Sequence, residues 1–396
     1  MELLRLLTAH SMNHDALYVY SLSALRANID ALKSIRSVDR IFFACKANHN
    51  PEVLKTIEAS GLGFECVSIH ELKYIAGLFP GLSRDRLLFT PNFAGKFEYE
   101  QAYWYTDNVN IDNLYAIESW GEMFRGKEVM LRMDPGEGLG YHDKMRTGGA
   151  RSKFGISLSQ LQGVLPKIKS LGIKVVGLHV HKGSGIHDSG VWARTAEFLS
   201  SLRGDFPDLR VLDLGGGLGV SYKDTDAPLD LAALDREIAA FRSSLDSQGG
   251  KKLELWLEPG RFVVATAGVL LATVTQLKSK PGRSFVGLST GMNSLIRPAL
   301  YESHHDIINL SRLPECEQPP AEAGKVYLNT LDPRTHMLVD VVGPICETGD
   351  ILGANRSMPT ATSEGDVILV DTVGAYGRVM SSTYNMREPG LEVTID

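Results

Sequence analysis

The sequence predicts an α/β chain in which a (β/α)8 barrel of the TIM type is joined to a second, mainly β, C-terminal domain. Three observations carry that expectation. From Ile41 onward short β-rich runs recur with helical patterns between them, the rhythm of parallel βα units, and eight such runs can be counted. Beyond Arg261 the rhythm gives way to β-branched runs separated by Gly and Pro loops, with few amphipathic helices. The length, 396 residues, exceeds what one ordinary core needs and suits two domains or a barrel with an appendage.

In chain order, Ala16–Tyr20 reads as a strand with no barrel partner of its own and is expected in the β domain. The eight barrel candidates follow: Ile41–Ala47, Gly63–Ser68, Leu87–Asn92, Val109–Asn113, Glu128–Asp134, Val175–His181, Val211–Gly215 and Leu253–Glu258. Pro51 suits the first turn of a helix, and Ser68-Ile-His-Glu71 has the spacing of a capping box. Phe262–Leu277 carries no charge, is shorter than the roughly 20 residues a membrane span needs, and is rich in Val and Thr, so a buried strand is expected. Ser311–Lys325, rich in Pro and Glu, reads as an exposed loop. The expected division is a barrel over 35–262, with 1–34 and 263–396 forming the β domain that carries substrate and interface residues.

Composition narrows the function classes. An apolar share of 43% with 22% charged residues is that of a globular protein, and a net charge of −6 without a basic run opposes nucleic-acid binding. Met1–His14 lacks the cationic start and long apolar run of a secretory signal, so no membrane partner and a cytoplasmic location are expected. Cys45, Cys66, Cys316 and Cys346 form no CxxC spacing, which predicts reduced thiols and no metal site.

In such a barrel the working groups sit at the carboxyl ends of the strands. Strand one ends in Lys46, at the polar end of an apolar run, where desolvation can neutralise an amine and ready it for imine formation with a carbonyl cofactor. Strand six ends in His179-Val-His181-Lys-Gly-Ser184-Gly, strand seven in Gly215-Gly216-Gly217, and strand eight in Glu258-Pro-Gly-Arg261. Each suits one part of a phosphorylated aromatic cofactor. The glycines let backbone N–H groups approach a phosphate, Ser184 and Arg261 add polar and charged contacts, His181 can lie against a pyridine ring, and Glu258 can keep the ring nitrogen protonated. Taken singly, each has a plainer reading: a solvated lysine cap, a flexible glycine turn, a structural histidine, a loop carboxylate. Their joint occurrence at four strand ends favours the cofactor.

The motifs Ala44-Cys-Lys46-Ala-Asn, Lys153-Phe-Gly, His181-Lys-Gly-Ser-Gly, Leu214-Gly-Gly-Gly, Glu258-Pro-Gly-Arg261, Gly343-Pro-Ile-Cys346-Glu347-Thr-Gly-Asp350 and Gly374-Ala-Tyr376-Gly together resemble the fold type III decarboxylases that use pyridoxal 5'-phosphate. The resemblance spans nearly the whole chain. It implies that Lys46 is the Schiff-base lysine and His181 the ring-stacking residue. Ser184, Gly216, Gly217, Arg261 and Tyr376 would hold the phosphate, with Glu258 on the ring nitrogen. It also implies a homodimer with shared active sites, in which Cys346 from the second subunit is a proton donor.

Met292-Asn-Ser-Leu-Ile-Arg297-Pro-Ala-Leu-Tyr301 and Cys346-Glu347 look like the diaminopimelate decarboxylases, whose amino-acid substrate has a second carboxylate. Arg297 suits that carboxylate bidentately, helped by Tyr301 and by Arg261 and Tyr376, while Glu347 suits the distal ammonium. Phe64-Glu-Cys-Val-Ser, Leu88-Phe-Thr-Pro-Asn-Phe, Arg146-Thr-Gly-Gly and Ser152-Lys-Phe-Gly resemble the decarboxylase halves of aspartokinase fusions, without a kinase portion. Ser289 and Thr372 stand where relatives commonly have Asp, and Lys182 replaces an apolar residue. The expected reaction is decarboxylation of meso-2,6-diaminopimelate to L-lysine. The alternatives are a decarboxylase of ornithine, arginine or carboxynorspermidine, and a non-catalytic protein of the same fold. An alanine racemase-like protein is disfavoured, since it typically pairs the ring nitrogen with Arg.

Overall fold

The computed structural model describes residues 15–136, 139–140, 152–223, 225–247, 249, 251–313 and 335–396. They form two compact units, one of Leu25–Val220 with Ala227–Val263, the other of Met1–Ala24, Ser221–Asp226 and Val264–Asp396. After strand β1 (Ala16–Ser21) of the second unit and helix α1 (Leu22–Lys33), the first unit runs through strands β2 (Arg40–Ala44), β3 (Gly63–Cys66), β4 (Leu87–Phe89), β5 (Asn108–Ile111), β6 (Glu128–Asp134), β7 (Lys174–His179), β8 (Val211–Asp213) and β9 (Glu254–Leu257). Each pairs in parallel with the next, and β9 returns to β2 through Trp256 opposite Arg40, so the sheet closes into the expected barrel. A helix crosses between every consecutive pair.

Two helix starts follow from local chemistry. In α2 (Pro51–Ala59) the Asn50 side chain accepts from the N–H groups of Glu52 and Val53, with Pro51 in the first turn where no N–H is needed. In α3 (Ile69–Leu78) Ser68 accepts from Glu71 N–H, while Glu71 reaches back to Val67 N–H at 2.8 Å.

The barrel interior is built in layers by the two-residue period of its strands. Phe42, Leu88, Met130, Val211 and Trp256 make a buried apolar layer. Gly63 and Gly177 face the same layer: a Cβ on the first would stand 2.5 Å from the Phe42 ring, and on the second 2.7 Å from the Met130 side chain. Two residues further along these strands, on the same face, stand Thr90, Arg132, Asp213, Glu258, Glu65 and His179, all buried. An apolar floor thus carries a polar layer toward the carboxyl ends.

The second unit is built on an eight-stranded sheet that contains β10 (Gly268–Lys280), β11 (Arg283–Leu288), β12 (Ile307–Asn309), β13 (His336–Val342), β14 (Ile351–Pro359), β15 (Val367–Val370) and β16 (Leu391–Ile395). In it β1 lies antiparallel to β10 and parallel to β16. Leu17, Val19, Leu271, Val367 and Leu369 form its core. The segment expected as one strand over Phe262–Leu277 starts instead as a short helix, Arg261–Val264, followed by a 3-10 turn; the strand begins at Gly268. Most of the Pro- and Glu-rich loop, Cys316 and the Arg146 motif lie outside the described residues.

Candidate active site

Lys46 sits on a 3-10 turn, Cys45–Ala47, directly after β2. Its Nζ is 2.6 Å from Glu65 Oε2, and Thr90 Oγ1 donates to the other oxygen of Glu65. Burial pushes the Glu65 carboxyl up to about 7, against the pull of the Lys46 ammonium and with the charge of Glu258 adding to the rise. Glu65 therefore exchanges its proton near neutrality beside the amine. Cys45 and Cys66 are buried and reduced, their sulfurs 3.9 Å apart, and burial raises both thiols, which keeps them unreactive.

Glu258 lies in the centre of the polar layer. His179 Nε2 stands 3.2 Å from its Oε2, and Asn110 Nδ2 stands 2.6 Å from His179 Nδ1. The Asn110 contact holds the His179 ring with Nε2 beside Glu258. Burial alone would raise Glu258, but His179 and then the Lys46 ammonium outweigh it and bring the carboxyl down to about 2. His181 goes to about 3, through burial first and then the positive charges of Arg132 and Lys46, so the imidazole is neutral at any working pH. Gly216 N–H donates to its Nδ1 at 3.2 Å. That contact orients the imidazole.

The three glycines are packed rather than loose. A Cβ on Gly215 would lie 2.5 Å from Val180 O, on Gly216 2.2 Å from Glu258 O, and on Gly217 2.4 Å from Gly183 O. The loops after β7, β8 and β9 are thus packed backbone against backbone, and Ile186 N–H donates to Gly217 O to tie two of them. Arg261 Nε donates to Ser184 Oγ at 3.1 Å, which brings two expected anion-binding groups together. Arg132 Nη1 lies 3.6 Å from Asp112, and its guanidinium lies 4.3 Å from the Phe154 ring centroid. The Lys153-Phe-Gly motif therefore clamps Arg132, and Gly155 N–H also donates to Asp112.

In the second unit Arg297 is fully buried, its guanidinium 4.9 Å from the Tyr222 ring centroid and its Nη1 3.1 Å from His305 Nε2. His305 Nδ1 donates to Asp371 O, leaving Nε2 to accept from the arginine. Tyr301 closes the same short helix, Arg297–Tyr301. Asp350 accepts from Met292 N–H and Ile345 N–H through its two oxygens, which ties the Cys346-Glu347 loop to the turn leading to Arg297. Gly291 and Gly343 leave room for that carboxylate. Cys346 is exposed, its N–H donating to Asn385 Oδ1. Tyr376 is held in the left-handed region at φ 58°, a costly conformation for a bulky residue. Of the departures from the family pattern, Ser289 has a local role: its hydroxyl donates to Asp15 O and accepts from Thr273 N–H.

Glu65, His179, Asp213 and Arg132 were not singled out as site residues from the sequence. Their signal was parity: each lies two residues beyond an apolar or glycine floor position on its strand. The donor set fits pyridoxal phosphate. Lys46 offers an amine to a carbonyl, Ser184 and Arg261 offer an anion site, and Glu258 is an ionised carboxylate whose Oε1 is buried without a hydrogen-bond donor among the described residues.

The comparisons agree with this chemistry. Residues 22–265 match the model of the pyridoxal-dependent decarboxylases, pyridoxal binding domain. The chain is 33% identical to the diaminopimelate decarboxylase of Methanothermobacter thermautotrophicus, over 90% of this chain and 80% of that one. It is 31% identical to the Escherichia coli diaminopimelate decarboxylase, over 96% and 88%. The crystal structure of diaminopimelate decarboxylase from Helicobacter pylori complexed with L-lysine superposes with a TM-score of 0.83 at 27% identity, covering 98% of this chain and 94% of that one. The fold is that of a pyridoxal-dependent decarboxylase, and the chain belongs to the diaminopimelate decarboxylase family.

Proposed function

We propose that this protein decarboxylates meso-2,6-diaminopimelate to L-lysine and CO2 with pyridoxal phosphate as cofactor. The reading rests on one observation above all: in a chain of this family, the Lys46 amine is held 2.6 Å from a buried carboxylate in the same polar layer as Glu258. When bound, the cofactor supplies an electrophilic carbonyl and a ring that takes up the electron pair left as CO2 departs.

In this reading Lys46 ties the cofactor through its amine, and Glu65 takes or returns the lysine's proton whenever the amine is exchanged. Glu258 would hold the ring nitrogen and keep it protonated, because an ionised carboxylate favours the charged partner. Neutral His181 would pack against the ring without adding a competing positive charge. Ser184, Gly217, Arg261 and Tyr376 hold the phosphate. Arg297, with Tyr301 and Arg261, would grip the distal carboxylate, Glu347 would hold the distal ammonium, and the Cys346 thiol would be the proton donor. The family pattern supports a homodimer with shared sites. Among the described residues no helix is long and apolar enough to cross a membrane, and the cytoplasm is the proposed location.

The test is CO2 release by the cofactor-loaded protein from meso-diaminopimelate, ornithine, arginine and carboxynorspermidine. Preference for the first is expected; turnover of another with none of the first would overturn the assignment.

A further inference from the structure

Within the polar layer of the barrel, one buried acid has no part in the roles above. Asp213 ends β8 and is fully buried. Its Oδ1 accepts from Gly215 N–H at 3.0 Å, and its Oδ2 has no hydrogen-bond partner. Glu258 Oε1 is equally without one. Donor atoms of Asp213, Glu258 and His179 all lie within 4.8 Å of one another. The two neighbouring buried carboxyl groups each present an oxygen that only a donor can satisfy, and a single shared proton satisfies both.

We propose that Asp213 is a positioning residue that works as a neutral carboxylic acid, accepting from Gly215 through one oxygen and donating its proton to Glu258 through the other. The charge count of the layer supports this. Among the described residues Glu65, Asp112, Asp213 and Glu258 share this region with Lys46, Arg132 and the His179 imidazole, while His181 is neutral, so four ionised carboxylates would outnumber the cations even with His179 charged and leave an uncompensated buried charge. Burial and then the charge of Glu258 push Asp213 well above the usual carboxylate range, while Glu258 is held low. A carboxylate has about four acceptor sites. With Asp213 on Oε1 and His179 beside Oε2, Glu258 is fixed in orientation, stays ionised, and keeps sites open for a ring N–H. This last step rests on the proposed role of Glu258; the protonation of Asp213 does not.

The experiment uses the full chain. Asp213→Asn reproduces both contacts, with the amide oxygen accepting from Gly215 and the amide nitrogen donating to Glu258. Asp213→Ala removes both. Infrared difference spectra of the apo protein at neutral pH, wild type minus Asp213→Asn, are expected to show a protonated-carboxyl C=O band. Its absence would mean that Asp213 is ionised, as in a divalent-cation site, and would overturn the proposal without touching the decarboxylase reading. In the cofactor-loaded protein, Asp213→Asn is expected to keep cofactor affinity within about threefold, whereas Asp213→Ala loses about tenfold or more, one lost buried hydrogen bond. The 15N shift of a labelled cofactor ring nitrogen is expected to stay in place in the first variant and to move in the second. Equal losses in both variants would also overturn the proposal. Where the Ala variant fails to fold, the Asn variant and the infrared band decide.

Discussion

Glu65 shows how one buried side chain links the site to the stability of the barrel. Its folded value of about 7 lies above its ordinary 4.5. Between these pH values the folded apo protein holds a proton that the unfolded chain has released. Stability therefore falls as pH rises through the window, by roughly 1 kcal/mol per pH unit from this group. Denaturant titrations of the apo protein at pH 5 and pH 7 are expected to show that Glu65→Gln removes this part of the slope; an unchanged slope would assign the pH dependence elsewhere. His181 acts with the opposite sign. Its folded value of about 3 lies below 6.5, so stability is lost as pH falls from 6.5. Arg297 is the residue through which substrate choice is tested. Enclosed by the Tyr222 ring and His305, it presents a planar fork that Lys cannot reproduce. Arg297→Lys is expected to raise KM for diaminopimelate about tenfold or more, with a smaller change in kcat, the loss of one bidentate contact. A kcat loss at unchanged KM would place Arg297 in the chemistry rather than in binding.

At the scale of elements, the loops after β7, β8 and β9 behave as one body because the glycines between them are in backbone contact. Gly216→Ala places a methyl 2.2 Å from Glu258 O, and a backbone atom cannot step aside as a side chain can. The variant is expected to lose about 2 kcal/mol or more of stability, and to bind cofactor at least about tenfold more weakly because the displaced N–H of residue 216 no longer reaches His181 Nδ1. Gly163→Ala is the control. It lies on the exposed face of the helix Leu158–Ser170 with nothing within 4 Å, and is expected to stabilise by about 0.5–1 kcal/mol in thermal unfolding. The same loops show what could be read from sequence. All eight barrel strands fall where the β-rich runs stand, and Lys46, His181 and Glu258 are visible because they end those runs. Glu65, His179 and Asp213 are harder to see, because strands of a closed parallel barrel are buried on both faces and do not alternate apolar with polar. Without the floor of Phe42 and Met130 against Gly63 and Gly177, nothing says which parity faces inward. The helical start of 261–264 was hidden for a related reason: an uncharged Val- and Thr-rich run carries strand propensity through a turn that tertiary context makes helical.

At the scale of the whole molecule, the sheet of the second unit joins strands Ala16–Ser21 and Leu391–Ile395, far apart in the chain. Strand β1 lies between β10 and β16, pairing Tyr18 with Leu270 on one side and with Glu392 on the other. Closing such pairings across the intervening chain costs loop entropy before any contact repays it, so this sheet can be completed only late in folding. Its dependence on β1 is large. Leu17, Tyr18, Val19 and Tyr20 are buried, and at about 1.5–3 kcal/mol for each large apolar side chain their burial sums to several kcal/mol, comparable with the net stability of a domain. A chain lacking residues 1–21 is therefore expected to lose the folded second unit. Pulse proteolysis should then cut within 264–396 in the shortened chain and spare that segment in the full one. The closed barrel has its own apolar layer and draws no strand from the deleted segment, so fragments spanning 25–263 are expected to resist. Equal resistance of both units in the shortened chain would show that β10 and β16 hold the sheet together without the strand between them.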